Sequence, residues 1–295
     1  MSALEGPQGA RPQPFDAARL GIYAFLIVAA LFFLMPLYVM IVTSIKPMDE
    51  IRQGALFGWP LNPTLDPWWK AWAQACTGLQ CEGLSIGFVN SIAITVPSVV
   101  ISVLFGMING YALSLWRPPY GNWLFGILML GAFIPVQVLF YPLVRMVAAI
   151  GVFGTLPGIV LVQVVFSLPV MTLLFRNYYA SLPIDLFKAA RVDGAGFWRT
   201  WYAIMLPLSG PMLVVACILK ATNTWNDYVL GLIFAGRDNL PMTVQLNNMV
   251  NSTMGEREYN MEMAATLLTA LVPLVIYFVS GRWFVRGIAA GAVKG

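Results

Sequence analysis

Residues 20–45 carry no charge between Arg19 and Lys46, and residues 83–116 carry none between Glu82 and Arg117. A helix crosses the hydrocarbon core of a bilayer with about 20 mostly apolar residues, so each interval is long enough for one crossing. The interval 118–175 holds Arg145 as its single charge and is long enough for two crossings. It is interrupted by the turn-like run Gly151-Val152-Phe153-Gly154-Thr155-Leu156-Pro157-Gly158. Composition agrees: 59% of residues are hydrophobic, 10% are charged and the mean hydropathy is +0.76, outside the soluble range. The spacing predicts spans near 20–45, 88–115, 123–147, 156–175, 208–235 (despite Lys220 and Asp227) and 263–280. The expected fold is therefore an all-α polytopic membrane protein with six transmembrane helices. The uncharged run of the first span is too long for a signal-peptide core and no small-residue cleavage site follows it, so retention is expected.

Lysine and arginine are retained on the cytoplasmic side during insertion, which gives the chain an orientation. With six spans, both termini share one side. That side collects ten Lys or Arg against four Asp or Glu, whereas the other collects five against eight. The first side is expected to be cytoplasmic. The domain plan is then a cytoplasmic N-terminal segment 1–19, a six-helix transmembrane domain 20–281 and a cytoplasmic tail 282–295. Within the domain lie an outer loop 46–84, a cytoplasmic loop 176–207 and a second outer loop 236–262. The net charge of +4 reflects this topology, and no clustered basic face points to nucleic acid.

There is no histidine, and of the three cysteines Cys217 lies within a span. A metal site or a histidine-based nucleophile system has almost no material, and neither a catalytic role nor a cofactor is expected. Cys76 and Cys81 share the first outer loop, where an oxidising exterior allows a disulfide; two unpaired thiols are the alternative. No G-x-x-x-x-G-K-[ST] run occurs, so any ATP that drives this chain is bound by a partner.

The polar segment between the fourth and fifth expected spans contains Lys188-Ala189-Ala190-Arg191-Val192-Asp193-Gly194 and, further on, Ile204-Met205-Leu206-Pro207. Pro183 and Asp185 suit a helix start and Gly194 a helix stop, which predicts a short amphipathic helix. The two alanines permit close approach by another surface. Phe197, Trp198, Trp201 and Tyr202 suit the membrane interface. The residues allow two readings, a docking handle for a soluble partner or a linker with an interfacial helix.

The run Ala189-Ala190-x-x-x-Gly194-x(9)-Ile204-x-Leu206-Pro207 resembles the EAA loop of binding-protein-dependent ABC importer permeases, with Lys188 where that family has Glu. Further stretches resemble the MalG-like carbohydrate permeases: Pro36-Leu37-Tyr38, Ser44-Ile45-Lys46-Pro47, Trp59-Pro60-Leu61-Asn62-Pro63-Thr64, Asn90-Ser91, Tyr111-Ala112-Leu113-Ser114, Trp225-Asn226-Asp227-Tyr228 and Phe284-Val285-Arg286-Gly287. Residues 241–248, Pro-Met-Thr-Val-Gln-Leu-Asn-Asn, are similar to permeases of the glucose or mannose branch. The resemblance implies a type I ABC importer fold in the bacterial inner membrane, with N and C termini cytoplasmic. It also implies two copies of an ATPase subunit, a second permease in a heterodimer and an extracytoplasmic sugar-binding protein. Lys188, Ala189, Ala190, Asp193, Gly194, Ile204, Leu206 and Pro207 are the residues onto which the ATPase-coupling role carries over.

Amide and charged side chains within spans are costly unless they meet a partner or a wet cavity. Lys220, Asn223 and Asp227 fall on one stripe of an ideal helix, with Asn226, Trp225 and Tyr228 beside it. The stripe either lines a pathway or joins neighbouring helices. Pathway candidates are Gln137, Asn223, Asn226, Asp227 and Tyr228, with Asn109 and Gln163 behind them. The long outer loop, with Trp68, Trp69 and Trp72, either meets a delivering protein or covers the bundle edge. The residues also leave room for an ion-coupled secondary transporter that uses Asp227 and Lys220. The resemblance favours a permease subunit that converts ATPase closure into alternating access through residues 186–194.

Overall fold

The computed structural model describes residues 17–54, 56–77, 81–251 and 257–292, with side chains from 19 to 281 within those ranges. Every regular element among them is helical. The first span is α1 (Ala17–Ser44), followed by the short helices α2 (Met48–Arg52) and α3 (Asp66–Ala73). The second is α4 (Ser85–Tyr111), which ends in a π-helical turn, Ala112–Trp116. Next come α5 (Gly121–Phe133), α6 (Val136–Ala149) and α7 (Leu156–Ser181). The polar segment forms α8 (Ile184–Val192) and α9 (Phe197–Thr200), then a π turn, Trp201–Met205, and α10 (Leu206–Leu208). The chain continues through α11 (Gly210–Asn226), α12 (Val229–Phe234), α13 (Met242–Val250) and α14 (Tyr259–Ala292).

Four of these helices are long and apolar enough to span singly, and two bent pairs bring the total to six. The bent pairs correct two expectations. The span expected over 123–147 is divided into α5 and α6 at an angle of 108°. Ile134, ahead of Pro135, is extended at φ −71° and ψ 126°, because the proline ring excludes its neighbour from the α region. The span expected over 208–235 is also not one rod. The segment Phe197–Leu208 meets α11 at 78°, and α11 itself stops before Asp227, whose backbone is extended at φ −71° and ψ 123°. Pro97, Pro142, Pro169 and Pro273 sit inside uninterrupted helices.

The α4 and α7 helices form the central pair of the bundle, because Gly106 and Gly110 leave room for backbone contact. A Cβ built on Gly106 would lie 2.6 Å from Cβ of Met171, and one on Gly110 would lie 2.6 Å from the backbone nitrogen of Arg176. In lipid, where apolar area gives helices little reason to associate, such close packing supplies much of the attraction. At the end carrying α8, Met107, Tyr111, Phe175, Tyr179 and Met205 form a buried cluster. At the other end Ala71, Leu84, Trp225, Met242 and Ala264 form a second, which seats α3 and α13 against α14. Side-chain bonds fasten described parts of the segment between α1 and α4. Glu50 accepts backbone N–H bonds from Leu61 and Asn62 at 3.0 Å each, and Trp68 Nε1 donates to Ser44 Oγ at 3.3 Å. Cys76 and Cys81 are joined by a disulfide. The N-terminal segment up to residue 16 lies outside the described residues, as do the side chains of the basic tail from 282.

Gly106→Ala and Gly110→Ala should each destabilise the bundle by about 1–3 kcal/mol through overpacking. Thermal unfolding in detergent checks this, with Gly126→Ala, whose Cβ meets nothing within 4 Å, as an unaffected control.

Candidate functional site

Two constellations stand out, one in the middle of the bundle and one at its end. The first surrounds the end of α11. Asp227 interrupts the helix, and its carboxylate caps the helix that restarts after it: Oδ1 accepts from Leu230 N–H at 3.4 Å and Oδ2 from Gly231 N–H at 3.1 Å. Oδ2 also accepts from Gln163 Nε2 of α7 at 2.9 Å. Lys220 Nζ, one face down on α11, donates to the Gln163 carbonyl at 2.9 Å and to its Oε1 at 3.1 Å. Gln163 thus bridges a cation and an anion, and Lys220 and Gln163 are each 2% exposed. Thr243 Oγ1 donates to the Asp227 carbonyl at 2.8 Å, which fixes the start of α13 to the break.

On the other side of the same helix lies a cavity of about 720 Å³, lined by Thr222, Asn223, Asn226, Tyr228 and Tyr277 among others. Its wall mixes amide and hydroxyl groups with the apolar edges of Ile218, Leu219 and Val229. Tyr228 OH donates to Asn247 Oδ1 at 3.1 Å. The expected single stripe is therefore split. Lys220 turns inward to Gln163, Asn223 and Asn226 are exposed in the cavity, and Asp227 touches both environments. Gln137 lies exposed on α6 and does not line this cavity. Trp225 lies away from the cavity, buried against Phe88, and its Nε1 donates to the Thr269 carbonyl at 3.0 Å. The sequence reading ranked Gln163 below its neighbours and missed Tyr277. An amide midway along an otherwise apolar span was the available signal for Gln163; nothing local marked Tyr277.

The second constellation is the end of the bundle built around α8. This helix stops where Gly194 adopts φ +75°, with Ala195 N–H donating to the Ala190 carbonyl at 2.9 Å and Gly194 N–H to the Arg191 carbonyl at 3.1 Å. Aromatic side chains clamp the segment to the bundle. Phe187 packs edge-on to Trp116, Arg191 lies 4.4 Å over the same indole, and Phe197 packs on Tyr111. Tyr111 OH donates to the Phe197 carbonyl at 3.2 Å, and Trp116 Nε1 donates to that hydroxyl. Tyr178 OH donates to the Leu208 carbonyl at 2.6 Å, and Tyr179 OH is 2.8 Å from Ser209 Oγ. The opposite face is bare: Lys188, Ala189, Asp193 and Gly194 are exposed, and Val192 is 86% exposed. Ala190 faces inward and is buried, so a close approach from outside falls to Ala189. Ile204 and Leu206 pack against the buried cluster, while Pro207 is exposed. Lys188 Nζ lies 3.6 Å from Asp185 Oδ1 in an exposed pair of little energetic consequence. Among the described residues no group of His, Cys, Asp and Glu could hold a metal ion.

Removing the Gln163 bridge by Gln163→Leu leaves both Lys220 and Asp227 short of partners in a dry interior. The expected loss is about 3–5 kcal/mol. A double-mutant cycle with Lys220→Met, read by unfolding in detergent, should return strong coupling; additive losses would mean that the bridge carries no energy.

Residues 102–290 match the family described as binding-protein-dependent transport system inner membrane component. A probable ABC transporter permease protein of Pyrococcus horikoshii is 32% identical over 94% of this chain and 98% of its own. An alpha-glucoside transport system permease protein of Rhizobium meliloti is 36% identical over 74% of this chain and 58% of its own. Among solved structures, a bacterial ABC transporter involved in import of the acidic polysaccharide alginate has a chain with the same fold, at TM-score 0.76, 21% identity and coverage of 92% and 99%. With a bundle broken at Asp227 and a rigid polar segment at its end, this multi-pass chain belongs to the family of binding-protein-dependent transport system inner membrane components.

Proposed function

We propose that this chain is one of two permease subunits of an ATP-driven carbohydrate importer. Two copies of an ATPase subunit power the pair, one of them gripping the exposed face of α8, and an extracytoplasmic binding protein delivers the cargo to the end that carries α2, α3 and α13. Both termini then lie in the cytoplasm, in keeping with the bias of ten basic to four acidic residues on that side. The observation that carries this reading is the mechanical state of α8. A short helix bare of partners on one face, held on the other by Trp116 against Phe187 and Arg191, and followed by a segment that Tyr111, Tyr178 and Tyr179 fasten at Phe197, Leu208 and Ser209, transmits a push and does not absorb it.

When the ATPases close, α8 moves with them as a rigid body. The segment that follows it, fastened at Leu208 and Ser209, carries the displacement into α11, which lines the 720 Å³ cavity at its far end. Alternating access follows from that tilt, with the Asp227 break as the point where the helix changes direction. Asn223, Asn226, Tyr228 and Tyr277 offer the donors, acceptors and flat apolar faces that a sugar ring matches. A carbohydrate also agrees with the alpha-glucoside relative. The bonding of Asp227 and Lys220 to Gln163 argues against the ion-coupled alternative, since a coupling carboxylate must release its partners in each cycle.

Val192→Arg places a charge on the bare face of α8 without touching the bundle. In proteoliposomes it should abolish ATP-driven uptake and co-purification of the ATPase while the Tm of the permease is unchanged. Asn223→Ala with Asn226→Ala should instead keep the ATPase bound and raise the uptake KM about tenfold. Uptake by the purified chain alone, without ATP, would overturn the proposal.

A further inference from the structure

At the end of the bundle that carries α8, Arg117 and Arg176 line one cavity of about 450 Å³. Arg117 closes the second span in a left-handed conformation at φ 46°, and Arg176 stands near the end of α7. Ser114, Asn122 and Asn177 complete the polar wall, and no carboxylate lines it. Neither guanidinium forms an ion pair among the described residues. Arg117 Nε donates to the Ser114 carbonyl at 3.0 Å, which occupies one of five N–H donors. The Arg176 guanidinium is held in place 4.1 Å over the Phe125 ring. Two fixed cations in one concavity without an acid repel each other until an anion enters, and paired guanidinium forks suit a phosphate.

The surroundings select the source of that phosphate. Tyr120, just before α5, and Trp123, on its first turn, are 79% and 77% exposed, as expected of aromatic residues at headgroup depth. From there an apolar stripe of Trp123, Ile127 and Leu130 runs along α5 away from the cavity, exposed throughout. A soluble anion has no use for such a track, whereas an acyl chain covers it. We infer that the cavity between α4, α5 and α7 binds the phosphate headgroup of an anionic membrane phospholipid, whose tail lies along α5.

Native mass spectrometry of the whole transporter, extracted from phosphatidylglycerol-containing membranes, tests this. Wild type should retain a phosphatidylglycerol adduct that Arg117→Gln with Arg176→Gln reduces about tenfold or more, the loss expected for one or two charged hydrogen-bonded pairs. A measurement on the unmodified protein covers the case in which the double variant fails to fold. In nanodiscs its Tm should be higher with phosphatidylglycerol than with phosphatidylcholine, and adding inorganic phosphate to phosphatidylcholine discs should not reproduce the increase. Equal adducts in wild type and double variant, equal Tm in the two lipids, or a full increase with inorganic phosphate would each overturn the assignment.

Discussion

Hydrocarbon offers no hydrogen-bond partner, so a helix that stops inside a membrane bundle exposes N–H and C=O groups that must be satisfied by the protein itself. The break at Asp227 is where this chain meets that requirement. The Asp227 carboxylate accepts the N–H groups of Leu230 and Gly231, and the Asp227 carbonyl accepts from Thr243. A carboxylate buried for that purpose needs its own compensation. Gln163 supplies it, donating with one end of its amide while the other end receives Lys220. The orientation of α12 and α13 follows from these few bonds, as does the shape of the wall presented by Asn226 and Tyr228.

The same logic explains why the end carrying α8 is rich in tyrosine and tryptophan. Two π-helical turns, at Ala112–Trp116 and Trp201–Met205, and a bend of 78° interrupt the regular helical bonding there. The hydroxyls of Tyr111 and Tyr178 donate to the carbonyls of Phe197 and Leu208, while their rings fill the space between helices. Satisfying these carbonyls also stiffens the region. The segment after α8 and the opening beside the Asp227 break are connected by the length of α11, so in the proposed mechanism the polar bonds that make an irregular backbone tolerable also define the lever.

The six apolar segments were legible because crossing length is a property of local sequence. The polar segment was legible too, since a proline-started, glycine-stopped helix is written in consecutive residues. The two breaks were less so. Pro135 marks a break and does coincide with one, but Pro97, Pro142, Pro169 and Pro273 carry the same local mark inside continuous helices. Asp227 carries no such mark, and its effect depends on Gln163, which lies 64 residues earlier in the chain. The stripe of Lys220, Asn223 and Asp227 assumed an ideal helix, and it divides because Gln163 draws Lys220 and Asp227 to one side while Asn223 is left facing a cavity.

What the sequence by itself determined is the solvent and the plan: a chain so apolar, with charges sorted to the ends of its spans, lives in lipid as a six-span helical bundle with one polar segment at its end. Those features follow from hydrophobicity and backbone bonding within each segment. Tertiary structure decided which polar residues are fasteners and which line open space. It turned Ala190 inward and left Ala189 out, buried Trp225 and exposed Asn223, and brought Arg117 and Arg176 to one cavity. The reason is that in a bilayer the direction a polar side chain faces is set by the partner available on another helix, and that partner is distant in the chain.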